Sequence, residues 1–137
     1  MAQFSRHSKR ELATCHPALR AILYRTIDVF NFRVVEGHRT QKRQNRLYKQ
    51  GKSQLKWPES SHNTNPSMAA DLAPWPIDWQ KTDRFYLMAG HVLMAAHELR
   101  REGEIDYAVR WGGNWDGDTK LDDQQFDDIP HFELVRP

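Results

Sequence analysis

The sequence predicts an α+β fold: one domain built on a small, largely antiparallel sheet with helices packed around it. Three observations carry that expectation. Segments with helical apolar periodicity come early and in the middle of the chain, and short β-branched and aromatic runs are scattered between them. The strict strand-helix alternation that builds a parallel sheet is missing. The 137 residues, 39% hydrophobic and 28% charged, suit a single folded unit over 1–137 and lie far from the composition of a disordered chain.

Ser8, followed by Glu11 three residues later, reads as a capping box opening a first helix in "SKRELATC". Pro17 stands at the favoured first-turn position of a second helix, "PALRAILYRTIDVF", whose apolar stripe is Leu19, Ile22, Leu23 and Ile27. "FRVVEG" reads as a short strand closed by Gly37. Thr40 then caps a basic helix, "QKRQNRLYKQ", that ends at Gly51. "MAADLA" adds a strand. The longest helix lies within "TDRFYLMAGHVLMAAHELRREG", capped near Thr82 or Asp83 and stopped by Gly103, with Phe85, Met88, Val92, Ala95, Ala96 and Leu99 on its buried face. His91 and His97 are six residues apart on that helix and fall on different faces, which makes them packing or surface residues rather than metal partners. "YAVRWGG" and "HFELV" supply the last strands.

Twenty basic residues against 18 acidic give a net charge of +2, too balanced to demand a nucleic-acid partner. The distribution is uneven. Arg and Lys crowd the first half, as in "RTQKRQNRLYKQGK", and "DGDTKLDDQQFDD" is acidic. Such asymmetry can steer a protein toward a polyanionic surface, although a solvated face is the simpler explanation of either run. Cys15 is the single cysteine, so no internal disulfide forms. The chain shows neither a signal peptide nor an apolar run of membrane-spanning length. The expectation is a monomer made in a cytoplasm, without membrane insertion.

His62, Asp71 and His131 offer the imidazole and carboxylate donors of a catalytic zinc, in which three protein ligands leave one position open. Their spacing alone leaves the plainer reading standing, a loop histidine and a turn aspartate. "NWDGDTKLDD" has the alternating oxygens of a calcium loop at Asn114, Asp116 and Asp118. Thr119 replaces the turn glycine and the twelfth-position Glu is missing, so a solvated loop competes with a Ca2+ site.

Taken in order, Ser60-x-His62, Ala69-x-Asp71 and Asp128-x-x-His131 resemble the motifs of the zinc peptidases that include D-alanyl-D-alanine carboxypeptidases and dipeptidases of the VanY and VanX type and phage L-alanyl-D-glutamate endopeptidases. "EGHRT" and "RTQKRQ", with Arg39 and Gln44, and the later "RWGGNW" extend the resemblance over nearly the whole chain. The His-to-Asp interval is nine residues where many relatives have seven, which predicts a bulge around Asn65 and Pro66.

The resemblance implies a hedgehog/D-Ala-D-Ala peptidase-like fold, with His62, Asp71 and His131 holding Zn2+ and Asp128 as general acid/base. Asp127 is the adjacent competitor for that role, and Glu133, which strand alternation puts on the same face as His131, is a candidate both for a group behind His131 and for the role of Asp128. It further implies Arg39 at the developing oxyanion, with Ser60 and Gln44 binding substrate or holding the metal ligands. The function it implies is a peptidoglycan endopeptidase acting on the stem peptide as a phage-type endolysin, released to the wall by a separate permeabilising protein. A D-alanyl-D-alanine peptidase and a non-catalytic zinc-containing wall-binding module are the alternatives. Binding of nucleic acid through "RTQKRQNRLYKQGK" would instead show as salt-sensitive DNA affinity.

Overall fold

The computed structural model describes residues 2–114 and 128–137. In chain order the elements are α1 (Arg6–Leu12), α2 (Pro17–Ile27), β1 (Phe32–Glu36), α3 (Gln41–Lys49), a 3₁₀ turn (Ser61–Asn63), β2 (Ala69–Pro74), α4 (Thr82–Arg101), β3 (Ala108–Gly112) and β4 (Asp128–Val135). The sheet runs β1-β2-β4-β3, and each neighbouring pair is antiparallel.

The apolar stripes do what their spacing predicts. Leu19, Ile22, Leu23 and Ile27 of α2 are buried, as are Phe85, Met88, Val92, Ala95, Ala96 and Leu99 of α4, and the two helices pack on each other. Both stripes join one core with Val34, Ala70, Leu72, Phe132 and Leu134 of the sheet. Successive strand residues point to opposite faces, so this core face leaves Asp71, His131 and Glu133 on the other side. That second face carries the site.

Two helix starts differ from expectation. Ser5, not Ser8, caps α1 by accepting a hydrogen bond from the Ser8 amide. Ser8 and Glu11 instead tie α1 to the next strand: Ser8 Oγ accepts from the Val34 amide at 3.0 Å, and Glu11 Oε1 accepts from the Gly37 amide at 3.0 Å. Tertiary pairing has claimed the side chains that local pattern assigns to a cap. α4 is preceded by Lys81 and has no side-chain cap at all, so Thr82 and Asp83 lie inside its first turn. Thr40 caps α3 as expected, and Gly51 and Gly103 take the left-handed backbone that ends helices. β4 begins at Asp128, three residues earlier than the apolar pattern suggests.

Two irregularities re-aim side chains. In β1, Val34 pairs with Leu72 but Glu36 pairs with Asp71, so Val35 is an extra residue. The bulge carries Glu36 from the core face, where alternation would put it, to the face of Asp71. In β4, Phe132 pairs with Trp111 while Asp128 pairs with Gly112. Residues 129–131 therefore bow outward beside Pro130, and Trp111 Nε1 donates to Ile129 O at 2.8 Å to pin the bow.

Candidate metal centre

Asp71 and His131 are direct cross-strand partners on β2 and β4. His62 arrives from the 3₁₀ turn between α3 and β2. That turn is locked by a reciprocal capping box: Ser60 Oγ accepts from the His62 amide at 3.2 Å, and Asn63 Oδ1 accepts from the Ser60 amide at 3.1 Å. The enlarged His-to-Asp interval is taken up by exposed bends at Thr64, Asn65 and Pro66, after which Ser67 is buried and bridged to Cys15. The bulge falls where the spacing predicted it, and both flanking residues reach the site.

One donor atom from each of His62, Asp71 and His131 lies within 4.8 Å of the others. His62 Nε2 is 3.2 Å and His131 Nδ1 is 3.3 Å from the same oxygen, Asp71 Oδ1. The outer nitrogens fix which atoms face inward. His62 Nδ1 donates to the Gly37 carbonyl at 2.7 Å, which can only accept, so Nε2 is the nitrogen left to face Asp71. His131 Nε2 donates to Glu133 Oε1 at 2.7 Å, leaving Nδ1 for the site. Oriented imidazoles with their outer N–H groups spent on a carbonyl and a carboxylate are the supporting arrangement of a metal site. With both rings neutral, one donor atom from each of the three residues converges on one point, and this group can hold a metal ion.

The charges agree with that. Burial works against ionisation of Asp71, yet the adjacent imidazoles, His62 foremost, outweigh it and hold the carboxyl well below the usual carboxylate range. Burial also opposes a charge on His131, but hydrogen bonds to Asp71 and Glu133 prevail and push the metal-free ring up to about 9. Glu133 is drawn down to about 2, against its burial, by His131 and by Arg110 Nη2, which donates to Glu133 Oε2 at 2.7 Å. A proton therefore sits on His131 at neutral pH when no metal is bound, and an incoming ion must displace it. Zinc titration should release about one proton from this ring per ion at pH 7–8. Affinity should rise about tenfold per pH unit toward pH 9. Calorimetry in buffers of different ionisation enthalpy reads both, and pH-independent binding would contradict the assignment.

Around the triad lies a cavity of about 500 Å³, lined among others by Arg39, Ser60, Asp128 and Glu133. Asp128 is half-buried there. Burial, with the Asp71 charge next, raises its carboxyl above the ordinary aspartate range, the direction useful to a group that must both take and return a proton. Glu133 has one oxygen on His131 and the other on Arg110. It holds the outer nitrogen of His131, as its two-residue offset from that residue suggests. Replacing it with Gln should weaken metal binding about 10- to 100-fold, read by competition with a chelator of known affinity.

Arg39 is nearly buried. Its Nε and Nη2 donate to Glu36 Oε1 at 3.1 and 2.8 Å and its Nη1 to Gln44 Oε1 at 2.9 Å, while Nη2 stands 3.6 Å from Asp71 Oδ2. Gln44 requires a correction. It is fully buried, its Oε1 accepts from Arg39 and Asn63, and its Nε2 donates to Ser53 Oγ and Leu55 O, so no amide position is left for substrate. Gln44 is a brace between Arg39, the His62 turn and the segment after α3. Ser60 does line the cavity, although its hydroxyl already caps the His62 turn. Asp116, Asp118 and Asp127 lie outside the described residues.

Sequence reasoning did not single out Glu36. Its carboxylate takes Arg39 on one oxygen and Arg43 on the other, and its position three residues before Arg39 was the available signal. Gly37 is a second omission. A Cβ there would stand 2.5 Å from Thr14 Oγ1 and 2.6 Å from Glu11 O. Gly37→Ala should cost about 1–3 kcal/mol of stability and shift the carbonyl that orients His62, lowering both the melting temperature and metal affinity. Cys15 contributes no nucleophile, since it is buried away from the cavity and burial pushes its thiol up to about 11.

Residues 1–135 match the model of a family described as phage L-alanyl-D-glutamate peptidase. No curated protein matches the chain. Among solved structures, the crystal structure of the L-Ala D-Glu endopeptidase ChiX from Serratia marcescens is similar. The two chains are 28% identical with a TM-score of 0.74, over 96% of this chain and 89% of that one. With the family match spanning residues 1–135 and the same fold in a solved endopeptidase, the chain belongs to the phage L-alanyl-D-glutamate peptidase family.

Proposed function

We propose that this chain is a zinc-dependent peptidoglycan endopeptidase that hydrolyses the L-alanyl-D-glutamate bond of the stem peptide and serves as an endolysin. The observation that carries the reading is the convergence of His62 Nε2, Asp71 Oδ1 and His131 Nδ1 beside a cavity that Asp128 also lines. Two nitrogens and one oxygen, with no thiolate, are the donor set of a catalytic rather than a structural zinc site. Zinc held there supplies Lewis acidity, polarising a carbonyl and bringing the pKa of water near neutrality.

The chain's own groups do the rest. Asp128 removes the proton from the attacking water and delivers it to the amine that departs. Arg39, fixed by Glu36 and Gln44, places a permanent positive charge beside the triad, where negative charge grows on the attacked carbonyl. Three of its five N–H donors are spent on those partners. Its contribution is therefore field as much as contact. Glu133 and the Gly37 carbonyl keep the two imidazoles from rotating. Ser60 holds the turn that delivers His62.

Among the described residues no helix is long and apolar enough to cross a membrane. We place the protein's action at the cell wall as a monomer, reached through a separate permeabilising protein. Digestion of purified peptidoglycan by the zinc-loaded chain should create new amino termini on D-Glu and carboxyl termini on L-Ala, identified by mass spectrometry. Release of terminal D-Ala alone would overturn this specificity in favour of a carboxypeptidase. Chelation should abolish the activity and stoichiometric zinc should restore it.

A further inference from the structure

Charges of both signs line the cavity. Asp71, Asp128 and Glu133 stand on β2 and β4, and Arg43 and Lys52 line it from α3 and the turn that follows, with Glu36 and Glu59 also in its wall. Arg43 is held by its Nε alone, on the Glu36 oxygen that Arg39 does not use. Its two terminal nitrogens and the Lys52 ammonium have no hydrogen-bond or ion-pair partner among the described residues. The other cations of the cavity are committed: Arg110 to Glu133, and Arg39 to Glu36 and Gln44. Two positively charged side chains with unspent donors lining one cavity, Arg43 held by the Glu36 carboxylate and Lys52 unanchored, suit a carboxylate of the substrate.

A glutamate residue within a peptide has two carboxyl groups and uses one to continue the chain. The residue on the amine side of the scissile bond thus always brings a free carboxylate close to the reacting carbonyl. We propose that Arg43 and Lys52 bind this free carboxylate and thereby select glutamate over its carboxamide; the proposal rests on the L-alanyl-D-glutamate reading above. Arg43 supplies a flat pair of N–H groups that fits a carboxylate, and Lys52 supplies a mobile point charge. Glu36 couples the two tasks, since one oxygen steadies Arg39 beside the metal ligands and the other sets Arg43 at the rim.

The test uses the zinc-loaded full chain and two soluble stem peptides that differ only in the free carboxylate of the D-Glu residue, present in one and converted to the carboxamide in the other. The readout is the ratio of their kcat/KM values. The wild type should favour the acid by about tenfold or more, as expected for charge-assisted hydrogen bonds. Lys52→Gln and Arg43→Gln should each lower that ratio and the double substitution should bring it near one, chiefly through KM. Arg43→Lys should recover part of it. Both residues are exposed, and Lys52 makes no hydrogen bond or ion pair with His62, Asp71 or His131, so its variant reports on recognition alone. Equal cleavage of both peptides by the wild type, or an unchanged ratio in the double variant, would overturn the proposal. Cleavage of neither peptide by the wild type overturns the L-alanyl-D-glutamate reading itself, and this proposal with it.

Discussion

Asp128→Asn should leave zinc bound and lower kcat/KM about 10²- to 10⁴-fold, the range that a positioned acid/base contributes. Asn keeps the volume and the hydrogen-bonding shape but can neither accept the proton of the attacking water nor return one to the departing amine. Metal content should not change, because the triad is His62, Asp71 and His131, and Asp128 is outside it. The reading is sharpened by what Glu133 does. With one oxygen bonded to His131 and the other to Arg110, both of its oxygens are engaged, and these partners draw its carboxyl down to about 2, which makes it a poorer proton carrier than Asp128. Unchanged turnover in Asp128→Asn would send the role to a different acid, Asp127 or Glu133. Acting as a base, Asp128 works as the carboxylate, so kcat/KM falls when acidification protonates it.

Gly112→Ala should cost nearly as much activity without touching a functional side chain. A Cβ on Gly112 would lie 1.9 Å from the Asp128 carbonyl oxygen and 2.7 Å from its carbonyl carbon. Backbone cannot yield as the end of a flexible side chain can. Sliding β4 is resisted on the core side, where Trp111 stacks on Phe132 and its indole N–H holds Ile129 O. The strand end must then move, carrying Asp128 out of its place in the cavity, and a shift of 1 Å at a reacting group is worth about 10²-fold. We expect a loss of kcat/KM of at least about 10²-fold with zinc retained, and a lower melting temperature. Gly90 supplies the control. It lies in α4 with nothing within 4 Å of a built Cβ, so Gly90→Ala should stabilise the protein by up to about 1 kcal/mol and leave activity intact. Equal behaviour of the two variants, read by thermal melts and peptide hydrolysis, would contradict the role given to Gly112.

Much of this was legible in the sequence. The apolar stripes of α2 and α4 and the Thr40 cap could be read directly, because periodicity and capping are local properties. His62, Asp71 and His131 could be gathered only by the order of their motifs, since nothing local ties residue 62 to residue 131. What escaped reading depended on tertiary structure. Ser8 and Glu11 look like a capping box, but the amides of Val34 and Gly37 outbid the helix terminus for their oxygens. Glu36 was hidden by a one-residue bulge, which reverses the face that alternation assigns. Gln44 lies in the expected motif yet faces inward, and its part is visible only when all four of its partners are seen. The "RWGG" segment reads only as part of a strand and of a motif, whereas the reason for Gly112 is the Asp128 backbone pressed against it.

The most direct test is a crystal structure of the zinc-loaded protein, with the ion located by anomalous scattering at the zinc edge. One ion should lie at about 2.0–2.2 Å from His62 Nε2, Asp71 Oδ1 and His131 Nδ1, with Asp128 facing its open position and Glu133 still on the far nitrogen of His131. Zinc bound elsewhere, or bound through Glu133 or Asp128 in place of one of the three, would contradict the site and the function built on it.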